Sequence, residues 1–355
     1  MNDGKAVQIF NLGAMQYFLS DYMEGAHPLI LERLMQTNME KTPGYGTDHY
    51  CAEAREKIRQ ACGCPGASVH FLVGGTQTNA TVITSVLRPY EGVMAAESGH
   101  INQHEAGAVE AGGHKVLGLP HCNGKLAAKD VDRYITEFYA GPSWDHMVAP
   151  AMVYISHPTE YGTLYTLEEL KALSAVCRKH QIPLFLDGAR LGYGLAAHGT
   201  DVTLKDIAAL CDIFYIGGTK VGALFGEAVV FTHPGLVKQF DTTVKQRGVL
   251  LAKGRLLGLQ FDTLFTDDLY VRIARHAIDM ADRIVSALRE KGYRFLIEPE
   301  TNQLFVIMEN RRLEELSKTV GVEVWEKVDE DHTAVRIATS WATREEDVAV
   351  LIGQL

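Results

Sequence analysis

The chain has 355 residues, 46% of them hydrophobic and 22% charged, with a formal net charge of −10. That size and composition suit a globular protein of two domains. The acidic balance, with a sequence pI near 5.8, argues against a nucleic-acid or anionic-membrane partner, since either calls for a basic face.

No apolar run approaches the roughly 18 residues of a membrane span. The start, Met1-Asn2-Asp3-Gly4-Lys5, lacks the apolar stretch of a secretory signal, so a cytoplasmic location is expected. Cys51, Cys62, Cys64, Cys122, Cys177 and Cys211 include one close pair and no zinc-ribbon spacing. Reduced thiols are the expected state.

In chain order, the first ~45 residues read as irregular and rich in turn formers, as in Asn11-Leu12-Gly13 and Thr42-Pro43-Gly44-Tyr45-Gly46. Asp48 to Ala61 reads as a helix, with Thr47 or Asp48 as N-cap and Cys62-Gly63 as its stop. From Val69 onward, short apolar runs alternate with helical stretches. Strands are predicted at Val69–Val73, Val93–Ala96, Met152–Ser156, Leu184–Asp187, Ile213–Ile216 and Ala228–Phe231. Helices are predicted at Thr78–Leu87 and at Leu167–His180, the second opened by the capping box Thr166-x-x-Glu169. This alternation predicts an α/β domain over 1–245, with a mostly parallel sheet flanked by helices. A smaller α+β domain over 246–355 is expected from the change of pattern. It holds a long amphipathic helix from Asp268 to Lys291, strands at Leu304–Met308 and Ala334–Ala338, and a closing helix from Thr343 to Leu355.

Two strand ends carry the chemistry. Leu184-Phe185-Leu186-Asp187 and Ile213-Phe214-Tyr215-Ile216-Gly217-Gly218-Thr219-Lys220 each run from apolar residues to a charge beside glycine. The carboxyl edge of such a sheet is where open α/β folds bind ligands. A lysine to form a Schiff base and an aspartate to keep a pyridine nitrogen protonated are what pyridoxal phosphate chemistry requires. The plainer reading is a surface ion pair.

Val73-Gly74-Gly75-Thr76-Gln77 follows a strand and opens a helix, so its backbone N–H groups suit a phosphate. It lacks the lysine of a Walker loop and the third glycine of a dinucleotide fingerprint. His100 stands at the next strand end and can stack on a flat ring or move a proton. His100 and His104 lie four apart but lack a third ligand, so no metal site is expected. Arg190, just past Asp187, and Arg336, inside the strand Ala334–Ala338, are candidates for a carboxylate or phosphate. A structural ion pair is the plainer reading for Arg336.

Gly75-Thr76-Gln77, then His100 with Glu105-Ala106-Gly107, then Asp187-Gly188-Ala189-Arg190, then Lys220, fall in the order seen in low-specificity threonine aldolases. The chain resembles that family from about Ser20 to Arg336. The family consists of fold-type I, aspartate-aminotransferase-like pyridoxal-phosphate enzymes, grouped with β-eliminating lyases. The resemblance implies that Lys220 holds the cofactor and Asp187 pairs with its ring nitrogen. Gly75 and Thr76 take the phosphate, with Thr219 and Arg190 also at the cofactor, and His100 stacks on the ring. Ser20, Arg190 and Arg336 bind the substrate carboxylate. Tyr45-Gly46-Thr47-Asp48 looks like the family's Tyr-Gly-Asp-Asp segment.

Three departures stand out. Lys220 follows Gly217-Gly218-Thr219, where the family has Leu-Ser. Glu160 stands in place of a family histidine that contacts the β-hydroxyl side of the substrate, with His157 nearby. Lys245 through Arg255 replaces a glycine-rich segment that reaches a neighbouring subunit's phosphate.

The expected activity is cleavage of a β-hydroxy-α-amino acid of the L-threonine or L-allo-threonine type to glycine and an aldehyde. The base is open between His100, Glu160 and water. β-Elimination on another amino acid is the nearest alternative. A phosphate- or nucleotide-binding α/β protein is the alternative from another class. The resemblance also implies a homodimer or homotetramer with sites at the interface.

Overall fold

The apolar runs of strand length assemble into one seven-stranded sheet. Its order is Ser68–Leu72, Glu227–Phe231, Ile213–Gly217, Leu184–Asp187, Ala149–Ser156, Glu91–Ala96 and Val116–Leu119. Every strand but Glu227–Phe231 runs the same way. The computed structural model describes residues 15–355, so Asn11-Leu12-Gly13 lies outside the described residues.

The central strands Leu184–Asp187, Ile213–Gly217 and Glu227–Phe231 are buried along their whole length. A strand covered on both faces reads as an unbroken apolar run, which is why these were legible. The edge strand Val116–Leu119 was not predicted: it is four residues long and contains a glycine. Helices pack on both faces over two apolar clusters.

Local signals set the helix ends. Asp48 accepts the Cys51 N–H at 2.9 Å and caps His49–Cys62, and Gly63 ends that helix at φ 62°. Thr166 and Glu169 close the capping box of Leu167–His180. The amino-terminal stretch is not all irregular, since Pro28–Gln36 is a helix. Proline occupies its first turn, where the missing N–H costs nothing. It buries only Ile30, so it has no apolar stripe to announce it.

The second sheet is antiparallel, in the order Glu323–Lys327, His332–Ala338, Gln303–Glu309, Arg294–Ile297. Its core joins Leu304, Val306, Val335 and Ile337 to Phe18 and to Met280, Ile284 and Leu288. Ile273, Ala277 and Ile278 of that same helix, Leu269–Glu290, belong to the large core instead. The two cores therefore change over inside one helix, beyond residue 246. The amino-terminal strand Gln16–Tyr17 pairs with Val320–Gly321 and joins the second core from the other end of the chain.

Candidate active site

Leu184–Asp187 and Ile213–Gly217 are neighbours in the sheet, paired at Phe185↔Ile213 and Leu186↔Phe214. Their turns touch backbone to backbone, with Gly217 N–H donating to the Gly188 carbonyl at 2.9 Å. A Cβ on Gly188 would collide with the Tyr215 carbonyl, and one on Gly217 with that of Ala189. This contact delivers Asp187 and Lys220 to one cavity of about 280 Å³, whose wall also includes Thr76, His100, Glu160 and Arg190.

Asp187 is buried and fully engaged. Its Oδ2 accepts Tyr154 Oη at 2.5 Å and Asn79 Nδ2 at 2.9 Å, and its Oδ1 accepts Tyr215 Oη at 2.5 Å and the Ala189 N–H at 2.9 Å. Burial alone would raise this carboxyl. The charge of His100 and the bonds from Tyr154, Tyr215 and Asn79 outweigh that and hold it below its ordinary value. Asn79 Nδ2 also reaches Glu105 Oε1 at 2.8 Å, and Glu105 Oε1 meets His100 Nδ1 at 2.9 Å. A hydrogen-bond chain thus links the His100 ring to Asp187.

Lys220 is half-buried, and its amine makes no hydrogen bond among the described residues; the Tyr22 ring lies 5.8 Å away. Burial and the Arg190 charge push it below the ordinary lysine value, against the pull of Asp21, Asp187 and Glu227. Tyr193 Oη donates to the Lys220 carbonyl at 2.6 Å, and Tyr270 Oη to that of Gly217 at 2.8 Å, fixing the loop that carries it. Thr219 lines the cavity, but its hydroxyl is used within the loop. It donates to Glu227 at 2.7 Å and accepts the Gly226 N–H at 3.0 Å.

The helix Gly75–Val86 begins at Gly74 with no side-chain cap. Gln77 Oε1 satisfies the Val73 N–H at 3.2 Å, and the first-turn N–H groups of Gly75, Thr76 and Gln77 carry no bond among the described residues. Free N–H groups at the positive end of a 12-residue helix make an anion site.

Glu160 accepts Ser156 Oγ at 2.6 Å and the His100 N–H at 2.8 Å on the same oxygen. Burial raises its carboxyl despite the Ser156 bond. His157 is not on the cavity wall. It is fully buried, its Nδ1 accepts the Tyr165 N–H at 3.3 Å, and burial holds its imidazole down to about 4.

Arg190 pairs two-fold with Asp21, at 2.7 and 3.0 Å, and its Nη1 makes no hydrogen bond among the described residues. Ser20 and Arg336 are not on the cavity wall. Arg336 is tied to Gln303 at 3.1 Å, to the Leu19 carbonyl at 3.0 Å and to Glu323 on the neighbouring strand. The sequence reading missed Asn79, Tyr154, Glu105 and Glu227. Glu227, a charge beside Gly226 at the start of the run Ala228–Phe231, carried the same signal as Asp187 and Lys220.

The profile of the beta-eliminating lyase family matches residues 17–311. The chain is 30% identical to a low specificity L-threonine aldolase of Pseudomonas sp. (strain NCIMB 10558) over 343 residues, 96% of this chain and 97% of that one. It is 42% identical to the solved threonine aldolase of Leishmania major, with a TM-score of 0.92 over 95% of this chain and 98% of that one. An aspartate aminotransferase of Thermus thermophilus, 17% identical with a TM-score of 0.71 over 96% of this chain and 91% of that one, shares the fold. The architecture is that of fold-type I, aspartate-aminotransferase-like proteins.

Proposed function

The chain belongs to the beta-eliminating lyase family, and from that premise we propose a pyridoxal 5′-phosphate-dependent aldolase. It cleaves a β-hydroxy-α-amino acid of the L-threonine or L-allo-threonine type to glycine and an aldehyde. The observation that carries this reading is that an unbonded lysine amine, a buried aspartate and the uncapped start of a helix face one cavity. The amine and the helix start lack partners that pyridoxal phosphate offers, and Asp187 presents a fixed negative charge to its ring nitrogen. Lys220 would bond its aldehyde carbon, Asp187 its ring nitrogen, the N–H groups of Gly75 and Thr76 its phosphate, and His100 its ring face. When bound, the cofactor supplies the electron sink for the pair released on cleavage of Cα–Cβ.

The protein's own groups do the rest. Nη1 of Arg190 takes the substrate carboxylate, and Asp21 holds the guanidinium in place. Arg336 braces Leu19, and with it the Ser20-Asp21 segment. Glu160 takes the β-hydroxyl proton. Its raised carboxyl stands closer to neutrality than an exposed one, which favours both accepting and returning a proton. The four bonds on Asp187 keep its charge fixed throughout.

Glu160 is equally suited to protonate a leaving group at Cβ, which favours β-elimination as the second reading. The test is an absorption spectrum of the purified protein with pyridoxal phosphate, before and after glycine, followed by product analysis. A visible band that glycine shifts, with glycine and aldehyde formed from L-threonine or L-allo-threonine, is the expected result. 2-Oxobutanoate and ammonia from the same substrates would favour elimination. A protein that stays colourless would favour the phosphate-binding alternative.

The assembly proposed is a homodimer or homotetramer. Met35 and Met39, 80% and 88% exposed, lie on the same amino-terminal stretch as Tyr22 of the cavity wall and support an apolar face that another subunit covers. Sedimentation at low concentration checks this, and a monomer would count against it. No described helix is long and apolar enough to cross a membrane. The six unpaired cysteines support a reducing, cytoplasmic setting.

A further inference from the structure

Glu227 is the acid of the cavity wall that the proposed reaction leaves unused. It opens the strand Glu227–Phe231 and stands opposite Gly217 in the antiparallel ladder with Ile213–Gly217. It accepts the Gly218 N–H at 3.0 Å and Thr219 Oγ1 at 2.7 Å, the two residues before Lys220. The side chain is 2% exposed, and it forms no ion pair among the described residues. A buried carboxyl without a cation is costly as an anion. The two bonds occupy separate oxygens, Gly218 N–H on Oε2 and Thr219 Oγ1 on Oε1.

The groups around the pair favour a mobile proton. Lys220, Asp187, Tyr215 and Tyr270 face Glu227. Arg190, Asp21, Asp187 and Glu227 face Lys220. Burial pushes the Glu227 carboxyl up and the Lys220 amine down, each toward its neutral form. The two side chains line the same cavity without bonding one another.

We propose that Glu227 and Lys220 share one proton across the cavity, and that Glu227 thereby sets how much of Lys220 is the neutral amine able to attack a carbonyl. In this exchange the proton leaves Nζ, whose N–H electron pair remains as the lone pair, and adds to a Glu227 carboxylate oxygen. Ammonium and carboxylate become amine and acid, with net charge unchanged. Glu227 acts through Lys220 and is a positioning residue. The inference rests on Lys220 being the reactive amine of the proposed function.

The test is competitive acetylation of the whole cofactor-free chain with acetic anhydride across pH, with Lys220 followed by mass spectrometry. Glu227→Gln keeps the shape and removes the charge. Its Lys220 midpoint should fall by about one pH unit, a tenfold gain in neutral amine below the midpoint. Glu227→Asp, which keeps the charge, and Thr219→Val, which removes the hydroxyl's bonds to Glu227 and from the Gly226 N–H without touching the charge, should show no such fall. In the wild-type chain the Lys220 profile should be broader than a single-group titration, as for any coupled pair. A Glu227→Gln midpoint that stays in place or rises would overturn the proposal. So would an equal fall in Thr219→Val, which would mark a loosened loop, or a wild-type profile that fits one independent group. Pyridoxal phosphate should protect wild-type Lys220 from acetylation. Failure of that protection would sink the proposed function while leaving the midpoint comparison standing.

Discussion

Removing the carboxylate of Asp21 by Asp21→Asn isolates the support of Arg190, the arginine proposed to take the substrate carboxylate. Asp21 is fully buried, meets Arg190 at 2.7 and 3.0 Å, and also accepts Asn302 Nδ2 at 2.9 Å. Breaking one side of a buried ion pair leaves the other charge uncompensated, which costs about 3–5 kcal/mol. The carboxyl's own titration gives a second figure. Burial alone would raise it, but the charges of Arg190 and Lys220 and its hydrogen bonds bring it from 3.8 down to about 2. At 1.36 kcal/mol per unit, that depression contributes about 2 kcal/mol of stability. Because the folded value lies below the unfolded one, this contribution is present above pH 3.8 and is lost as pH falls toward 2. Urea denaturation followed by circular dichroism, on wild type and Asp21→Asn, measures both. At neutral pH the variant should be less stable by about 3 kcal/mol or more, and the gap should narrow by about 2 kcal/mol in acid. A gap under about 1 kcal/mol at neutral pH, or one that does not change in acid, would refute the reasoning.

Lys220→Ala should lose turnover and the visible cofactor band together; a variant that turns over normally would remove Lys220 from the site. Glu160→Gln should slow aldehyde release by about 10²–10⁴-fold while glycine still shifts the spectrum, and undiminished release would show that the proton goes elsewhere. Gly188→Ala should cost about 3 kcal/mol in denaturation, because its Cβ meets the Tyr215 carbonyl of the adjoining strand; a neutral outcome would mean that the two turns part freely.

The pair proposed to hold the cofactor was legible because each member sits where an unbroken apolar run ends in a charge close to glycine. Asp187 and Lys220 obey that pattern, and Glu227 mirrors it at the start of an antiparallel run, which began one residue later in the sequence reading than in the sheet. What surrounds Asp187 was not legible. Asn79 comes from a helix face, Tyr154 and Tyr215 from two different strands, and Glu105 from beyond a short helix. Their convergence is a product of sheet order, which no local spacing encodes. Arg336 illustrates the same limit. A lone cation in an apolar strand was visible, but its partner Glu323 lies on a strand of half-exposed residues with no sequence signature. The division between the two cores was missed for a related reason. The helix Leu269–Glu290 keeps one apolar stripe throughout, and that stripe does not reveal that its two halves face different neighbours.

The amino-terminal segment ties the two sheets together like a stitch. Phe18 accepts the Ala338 N–H at 2.9 Å in the small sheet, and three residues later Asp21 grips Arg190 beside the large one. Only Leu19 and Ser20 lie between these anchors. Rocking of the small sheet on the large one would load that short tether, together with the helix Leu269–Glu290 and the bonds from Leu164 N–H to Glu300 and from Thr301 to the Gly162 carbonyl. A protease cut between Phe18 and Asp21 would sever the tether while sparing every residue of the cavity wall, and would expose how far the grip on the substrate depends on tension from outside the site.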